Sequence, residues 1–196
     1  MDMTLADVEK DIKTRLQQGA TSRKSAMHTC VVATADCDLR VMVLREYCSE
    51  TNRLRFHTDS RTPKVTAIAG NPSVAVLAYD QQGKVQIRMR GTARVEQDGP
   101  VADAAWAEAT NFAKRCYLAQ QAPSSAVPEP TSGLPQWAEG TNPADEEVAP
   151  ARDNFAVLLI EIAQFDWLYL ANEGHRRARI TPGEDGAEPD RTWLVP

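Results

Sequence analysis

The sequence lacks the short signatures by which most catalytic sites can be read. It has no G-x-S-x-G, no G-x-x-x-x-G-K-[ST], no H-E-x-x-H and no G-x-G-x-x-G, which removes the common hydrolase, nucleotide-phosphate, zinc-protease and dinucleotide-binding readings. Its four cysteines, at 30, 37, 48 and 116, include no C-x-x-C and keep no zinc-like spacing with the three histidines. Ordinary reduced thiols are therefore expected, and no metal. No apolar stretch reaches transmembrane length and the first residues have no apolar signal-like core, so a cytoplasmic protein is expected. A net charge of −5 argues against general nucleic-acid binding and leaves room for a local basic pocket. No internal repeat is visible.

What is present is concentrated between Arg40 and Lys64. Arg40-Val41-Met42-Val43-Leu44-Arg45 is an alternating strand with an arginine at each end. A second strand, Arg53 to Thr58, runs into Asp59-Ser60-Arg61, and Thr62-Pro63 then opens a helix, with Thr62 as N-cap and Pro63 at its first position. Basic side chains, a strand-end hydroxyl and the exposed amides of a helix start together describe an anion site, with phosphate as the natural ligand. The competing reading is a set of barrel strands with arginines that merely extend to solvent.

The rest of the chain supplies a frame for this stretch. Leu5, Val8, Ile12 and Leu16 form the apolar stripe of a helix over Thr4–Gln18, with Thr4 and Asp7 as a capping box and Gly19 as its end. Strands are expected over Met27–Ala35, Leu39–Cys48, Arg53–Thr58, Ser73–Tyr79 and Lys84–Gln97, the last with a bulge at Gly91. Pro63–Ala69 is a short helix stopped by Gly70-Asn71-Pro72. Pro100–Leu118 is helical, in one or two pieces, and packs its alanines around Trp106 and Phe112. Between Ala122 and Pro150 lie six of the twelve prolines, so most of that segment is irregular, either a solvated linker or a functional loop. Strands return at Asn154–Ile162, Asp166–Ala171 and His175–Ile180, and the apolar end Trp193-Leu194-Val195 is expected to dock on the body. The spacing predicts a single mainly β domain with flanking helices, built on an antiparallel barrel.

The order of these groups resembles the pyridoxamine 5′-phosphate oxidase family, the FMN-binding split barrel, in a divergent branch. The family's R-x-V-L-L-K strand is similar to Arg40–Arg45. Its F-Y-T-N, S-R-K and N-P resemble Phe56-His57-Thr58-Asp59, Thr62-Pro63-Lys64 and Asn71-Pro72, and its R-Q-V resembles Val85-Gln86-Ile87. Its F-W and R-L-H-D-R resemble Asp166-Trp167 and Glu173–Arg177. The resemblance implies an antiparallel split barrel of six or more strands that binds FMN at a homodimer interface. It implies phosphate contacts from Arg40, Thr58 and Lys64 with the helix start at Pro63, and FMN contacts from His57. The Val41, Met42, Val43 and Leu44 backbone and Arg45 would run along the flavin edge, with Gln86 bonded to the ring. Gln121, Trp167 and Arg177 would complete the cofactor site.

Departures from the family pattern limit the substrate. Pro63 stands where the family has a phosphate-binding arginine, a role Arg61 could take. The family's Tyr, Arg and Ser trio for pyridoxamine phosphate has no counterpart in Ala102–Lys114, and Glu173 replaces the first arginine of R-L-H-D-R. Arg45 and His175 remain as substrate contacts. The resemblance thus implies an FMN-dependent oxidoreductase acting on a small-molecule substrate whose identity it leaves open; a flavin- or haem-binding module without turnover is the alternative.

Overall fold

Alternating strands joined by tight turns build most of the molecule. The computed structural model describes residues 3–183 and 187–196. Helix α1 (Leu5–Thr21) precedes β1 (Thr29–Thr34), β2 (Leu39–Cys48) and β3 (Arg53–Asp59). Helix α2 (Pro63–Gly70), β4 (Ser73–Asp80) and β5 (Val85–Glu96) follow. Short helices α3 (Pro100–Glu108), α4 (Asn111–Lys114) and α5 (Asp145–Val148) lead to β6 (Phe155–Tyr169), β7 (Arg176–Thr181) and β8 (Asp190–Leu194). The sheet order is β3-β2-β1-β4-β5-β6-β7-β8, and a β3–β6 pairing closes the first six strands into an antiparallel barrel. The barrel expected from strand spacing is therefore observed, with β7 and β8 added beyond it. Among the described residues no helix is long and apolar enough to cross a membrane.

The chain divides into two compact units. One comprises Met1–Phe56, Asn71–Ala93 and Leu159–Pro196. Its α1 carries the expected capping box, in which the Thr4 hydroxyl accepts from Asp7 N–H at 3.2 Å and the Asp7 carboxylate accepts from Thr4 N–H at 2.9 Å. Val8, Ile12 and Leu16 bury the apolar face of this helix. The helix does not stop at Gly19. A Cβ there would sit 2.6 Å from the Met27 carbonyl oxygen, so the glycine serves a close approach inside the helix. The Asp36-Cys37-Asp38 connection is a tight turn in which Cys37 takes a φ of 66°. Cys30 lies fully buried in β1, where loss of solvation pushes its thiol up to about 12. The β4–β5 register runs without a shift through Val74 and Gly91, so Gly91 makes no bulge against β4.

The second unit comprises His57–Gly70 and Arg94–Leu158. Its centre is Phe155, fully buried and ringed by His57, Trp106 and Tyr117 at centroid distances of 4.9, 5.2 and 5.1 Å. Such edge-on and tilted aromatic pairs add stability beyond their buried area. Ala102 and Ala105 of α3 are buried beside them in this unit. Phe112, expected in the packed set, is 56% exposed, with the Arg115 guanidinium lying 4.3 Å from its ring. The proline-rich segment holds a 3-10 turn at Gln136–Ala138, the single turn of α5 and the start of a 3-10 turn at Ala149–Asn154, and is otherwise irregular, as its composition requires.

Two strands read separately from sequence, Asn154–Ile162 and Asp166–Ala171, are one continuous strand, β6. The C-terminal apolar segment docks by pairing as β8 with β7, Trp193 opposite Ala178.

Candidate functional site

In the first unit, strand alternation places polar side chains on one face of β5, β6 and β7. Val85, Ile87 and Met89 are buried, so Gln86, Arg88 and Arg90 project the other way. Phe165 and Trp167 are likewise buried on β6, leaving Gln164 and Asp166 on the opposite face. On β7, Ala178 and Ile180 are buried and Arg177 and Arg179 face out. These seven polar residues line a cavity of roughly 580 Å³, whose apolar side comes from Val31, Ala33, Leu39 and Leu77 of β1, β2 and β4. The volume falls within the range of small-molecule pockets.

Asp166 organises the polar wall. Its carboxylate accepts from Arg177 Nη2 at 2.7 Å and Nε at 3.0 Å, and from Arg88 Nη2 at 2.6 Å. Burial alone would raise the Asp166 carboxyl, but the hydrogen bonds from Arg177 and Arg88 outweigh it and hold the group below the usual carboxylate range. The same bond raises the Arg177 guanidinium. Both arginines are thereby fixed in direction before any ligand arrives.

The second unit holds a different donor set. Thr58 ends β3 and Thr62 directly precedes α2, and both are buried. Lys64 Nζ donates to their hydroxyls at 3.1 Å and 3.0 Å, and Thr62 Oγ1 donates to the Asp59 carbonyl at 2.9 Å. One ammonium and two hydroxyls thus converge at the opening of a helix whose first residue, Pro63, has no N–H to offer. This is a donor set suited to a phosphate group. Arg61 has other work: Asp59 takes it bidentately at 3.0 and 2.7 Å, and its Nη2 also donates to the Ala119 carbonyl at 3.0 Å. The missing family arginine at Pro63 is therefore not replaced by a free guanidinium at Arg61.

The remaining sequence-derived positions distribute as follows. Arg40 folds back on its own hairpin, donating to the Val32 carbonyl at 3.2 Å, to Thr34 Oγ1 at 3.1 Å and to the Asp38 carboxylate. Met42 and Leu44 are buried while Val41 is 68% exposed and Val43 half-buried, so the strand presents one apolar face outward. Arg45 sits at the register irregularity between Leu44 and Glu46 opposite β3, and its Nε is buried with no hydrogen-bond partner among the described residues. His57 packs edge-on against Phe155. Gln86 and Arg177 share the cavity of the first unit. Gln121 and His175 are exposed in loops. Trp167, expected to close the flavin site, is 1% exposed and donates its indole N–H to Asp11 at 2.9 Å; Asp166, its neighbour of opposite parity, is the residue that faces the cavity.

Arg88, Arg90 and Asp166 are given no site role by the sequence. The alternation Gln86, Arg88, Arg90 against Val85, Ile87, Met89 was a usable signal for one polar strand face. The Arg88–Asp166 pair spans 78 positions, and nothing local announces it.

Comparison with known proteins sharpens this picture. Residues 7–97 match the family model described as the pyridoxamine 5′-phosphate oxidase FMN-binding domain. The match holds Arg40, the Thr58–Lys64 cluster and Gln86, and ends before Asp166 and Arg177. A pyridoxamine 5′-phosphate oxidase-related FMN-binding protein from Nostoc punctiforme PCC 73102 is similar over 99% of this chain and 100% of its own, with 26% identity and a TM-score of 0.73. PhzG from Burkholderia lata 383, in complex with tetrahydrophenazine-1-carboxylic acid, shares the fold at 16% identity and a TM-score of 0.68, over 95% of this chain and 91% of its own. A protein of the pyridoxinephosphate oxidase family from Clostridium acetobutylicum, related to general stress protein 26, shares it at 10% identity and a TM-score of 0.53, over 86% of this chain and 94% of its own. No curated protein matches the sequence.

Proposed function

We propose that this protein binds FMN and acts as an FMN-dependent oxidoreductase on a small-molecule substrate. The observation that carries the proposal is the convergence of Lys64 Nζ on the buried hydroxyls of Thr58 and Thr62 at the start of α2. The phosphate of FMN has a matching donor set in the second unit, an ammonium with two hydroxyls. Bound FMN supplies the redox chemistry itself. The chain's own residues bind it, orient it and keep water from one side of it. Arg40 contributes to the phosphate by exchanging Asp38 for it, and Arg45, with its unsatisfied Nε, is oriented by substrate or flavin.

Titration of the purified protein with FMN, followed by flavin absorbance, tests this. Lys64→Ala and Arg40→Ala are each expected to weaken FMN binding by about 1–3 kcal/mol, roughly 5- to 150-fold, the scale of a lost charge-assisted hydrogen bond. Unchanged affinity in both variants would refute the phosphate assignment, and a haem Soret band in place of flavin absorbance would refute the cofactor. Reduction of the bound flavin by one member of a substrate panel then separates an enzyme from a carrier.

The same reading makes the protein a homodimer. Leu39, Val41 and Tyr79 are 61%, 68% and 45% exposed on the outward face of β2 and β4, an apolar patch suited to a second copy. Light scattering is expected to give a dimer for the wild type and a monomer for Val41→Glu; a wild-type monomer would end this part of the proposal.

A further inference from the structure

Arg40 is held from two sides that differ in kind. On β1, opposite which it stands in register with Val32, the acceptors are neutral. Its Nη1 donates to the Val32 carbonyl at 3.2 Å and to Thr34 Oγ1 at 3.1 Å, and its Nη2 donates to the same hydroxyl oxygen at 3.1 Å. Thr34 is 4% exposed, and its own proton goes to the Asp36 carboxylate at 2.6 Å, which leaves the oxygen free to accept from the guanidinium. On the other side Nη2 meets the Asp38 carboxylate, the one ion-pair partner of Arg40 among the described residues. The two members of that pair are unequally solvated: the Arg40 side chain is 17% exposed and the Asp38 side chain 62%.

The neutral acceptors fix where the guanidinium sits, and the solvated carboxylate is the partner that can be exchanged. An exposed pair of this kind is weak in itself. Asp38 nevertheless has an advantage over any dissolved anion, because one residue of chain holds it beside Arg40 and gives it a high effective concentration. A phosphate group, with nearly two negative charges and three acceptor oxygens, is the anion equipped to displace it. Displacement does not carry Asp38 away. Its carbonyl accepts from Thr34 N–H at 3.1 Å and its N–H donates to Asp36 at 3.4 Å, so the turn keeps the freed carboxylate near the incoming phosphate, where like charges repel. Competition and repulsion act in the same direction.

We infer that Asp38 is a specificity-determining residue for the flavin: a tethered rival anion that diminishes what Arg40 gives to a phosphate, and so sets how strongly the protein separates FMN from unphosphorylated riboflavin. The inference rests on the reading of Arg40 as a phosphate ligand and adds the residue that regulates it. Riboflavin brings no anion, so the Arg40–Asp38 pair stays intact when it binds. Asp36 is not a second rival, because its carboxylate already accepts from the Thr34 hydroxyl and the Asp38 N–H and holds the turn.

Calorimetric titration of the flavin-free protein with FMN and with riboflavin tests it. Asp38→Asn and Asp38→Ser are each expected to tighten FMN by about 5-fold or more and to leave riboflavin within about 2-fold of wild type. Glu50→Gln removes the same charge from the turn beyond the far end of β2, and is expected to leave both flavins within about 2-fold. In an Arg40→Ala background the gain from Asp38→Asn is expected to fall below about 2-fold. No gain for FMN, an equal gain for riboflavin, an equal gain in Glu50→Gln, or a gain undiminished without Arg40 each overturns the inference. If Arg40→Ala weakens FMN while neither Asp38 variant tightens it, the phosphate reading of Arg40 stands and the role of Asp38 falls. If Arg40→Ala leaves FMN unchanged, both fall. If the protein takes no FMN, inorganic pyrophosphate serves as the probe: tightening in Asp38→Asn that requires Arg40 keeps the rivalry and ends the cofactor assignment, and its absence ends both.

Discussion

Trp167→Ala is expected to lower the free energy of unfolding by about 3–5 kcal/mol, read as a shift in the denaturant midpoint. Trp167 is among the largest fully buried side chains, and at 1% exposure its removal leaves a cavity that the rigid strands around it cannot fill. The hydrogen bond to Asp11 contributes less, because Asp11 also accepts from Arg15 Nε at 2.9 and 2.8 Å and keeps that partner when the indole is gone. Trp167→Phe retains most of the volume and separates the two effects; a cost of about 1–2 kcal/mol is expected for it. The family resemblance gives this position a flavin contact, whereas its indole N–H is spent on α1. If Trp167→Phe loses stability and keeps FMN affinity, the residue is a pillar of the first unit. If FMN affinity falls by 10-fold or more, in the roughly 1.4 kcal/mol sense, the flavin role stands.

Gly91→Ala should be nearly as damaging, at about 3 kcal/mol, the upper end of what overpacking usually costs. A Cβ at Gly91 would lie 2.0 Å from the Glu161 carbonyl oxygen and 2.9 Å from its carbonyl carbon. Both are backbone atoms of β6, so no side chain can swing aside; the strand itself must move. Movement of β6 at 161 would also displace Asp166 five residues on, and with it the anchor of Arg88 and Arg177. Gly70→Ala is the matched control. Nothing lies within 4 Å of a Cβ there, at the last residue of α2, and the change is expected to be neutral or stabilising by about 0.5 kcal/mol. Equal stability of the two variants in thermal melts would show that the approach at Gly91 is softer than its geometry.

The same glycines show where sequence reasoning reached and where it stopped. Elements whose signals are local were legible: the β2 alternation, the Thr4–Asp7 cap, the Pro63 helix start and the irregular proline-rich segment. Gly91 and Gly19 were assigned from their usual local uses, a bulge and a helix stop. Their actual cause is the close passage of Glu161 and Met27, which no local pattern encodes. The sequence reading divides β6 at Ala163-Gln164-Phe165, taken as a short turn. Gln164 and Asp166 are instead cavity-facing positions of a continuous strand, and Asp166 is tolerated there because arginines on neighbouring strands pair with it. The Lys64, Thr58 and Thr62 cluster was readable in part because its members lie within seven residues of each other. The Arg88, Asp166 and Arg177 wall was not, because it assembles from three strands.

The ion pair between Glu9 of α1 and Arg191 of β8, at 2.7 Å, joins residues 182 positions apart. Closing a flexible loop of that length costs about 4–5 kcal/mol by the logarithmic polymer relation, far more than one partly exposed ion pair returns. The contact therefore forms as the last turn of a lock and not as a nucleus. During synthesis, Glu9 of α1 keeps its local partner Lys13 until position 191 has been added, and the early strands must order without the long-range contact.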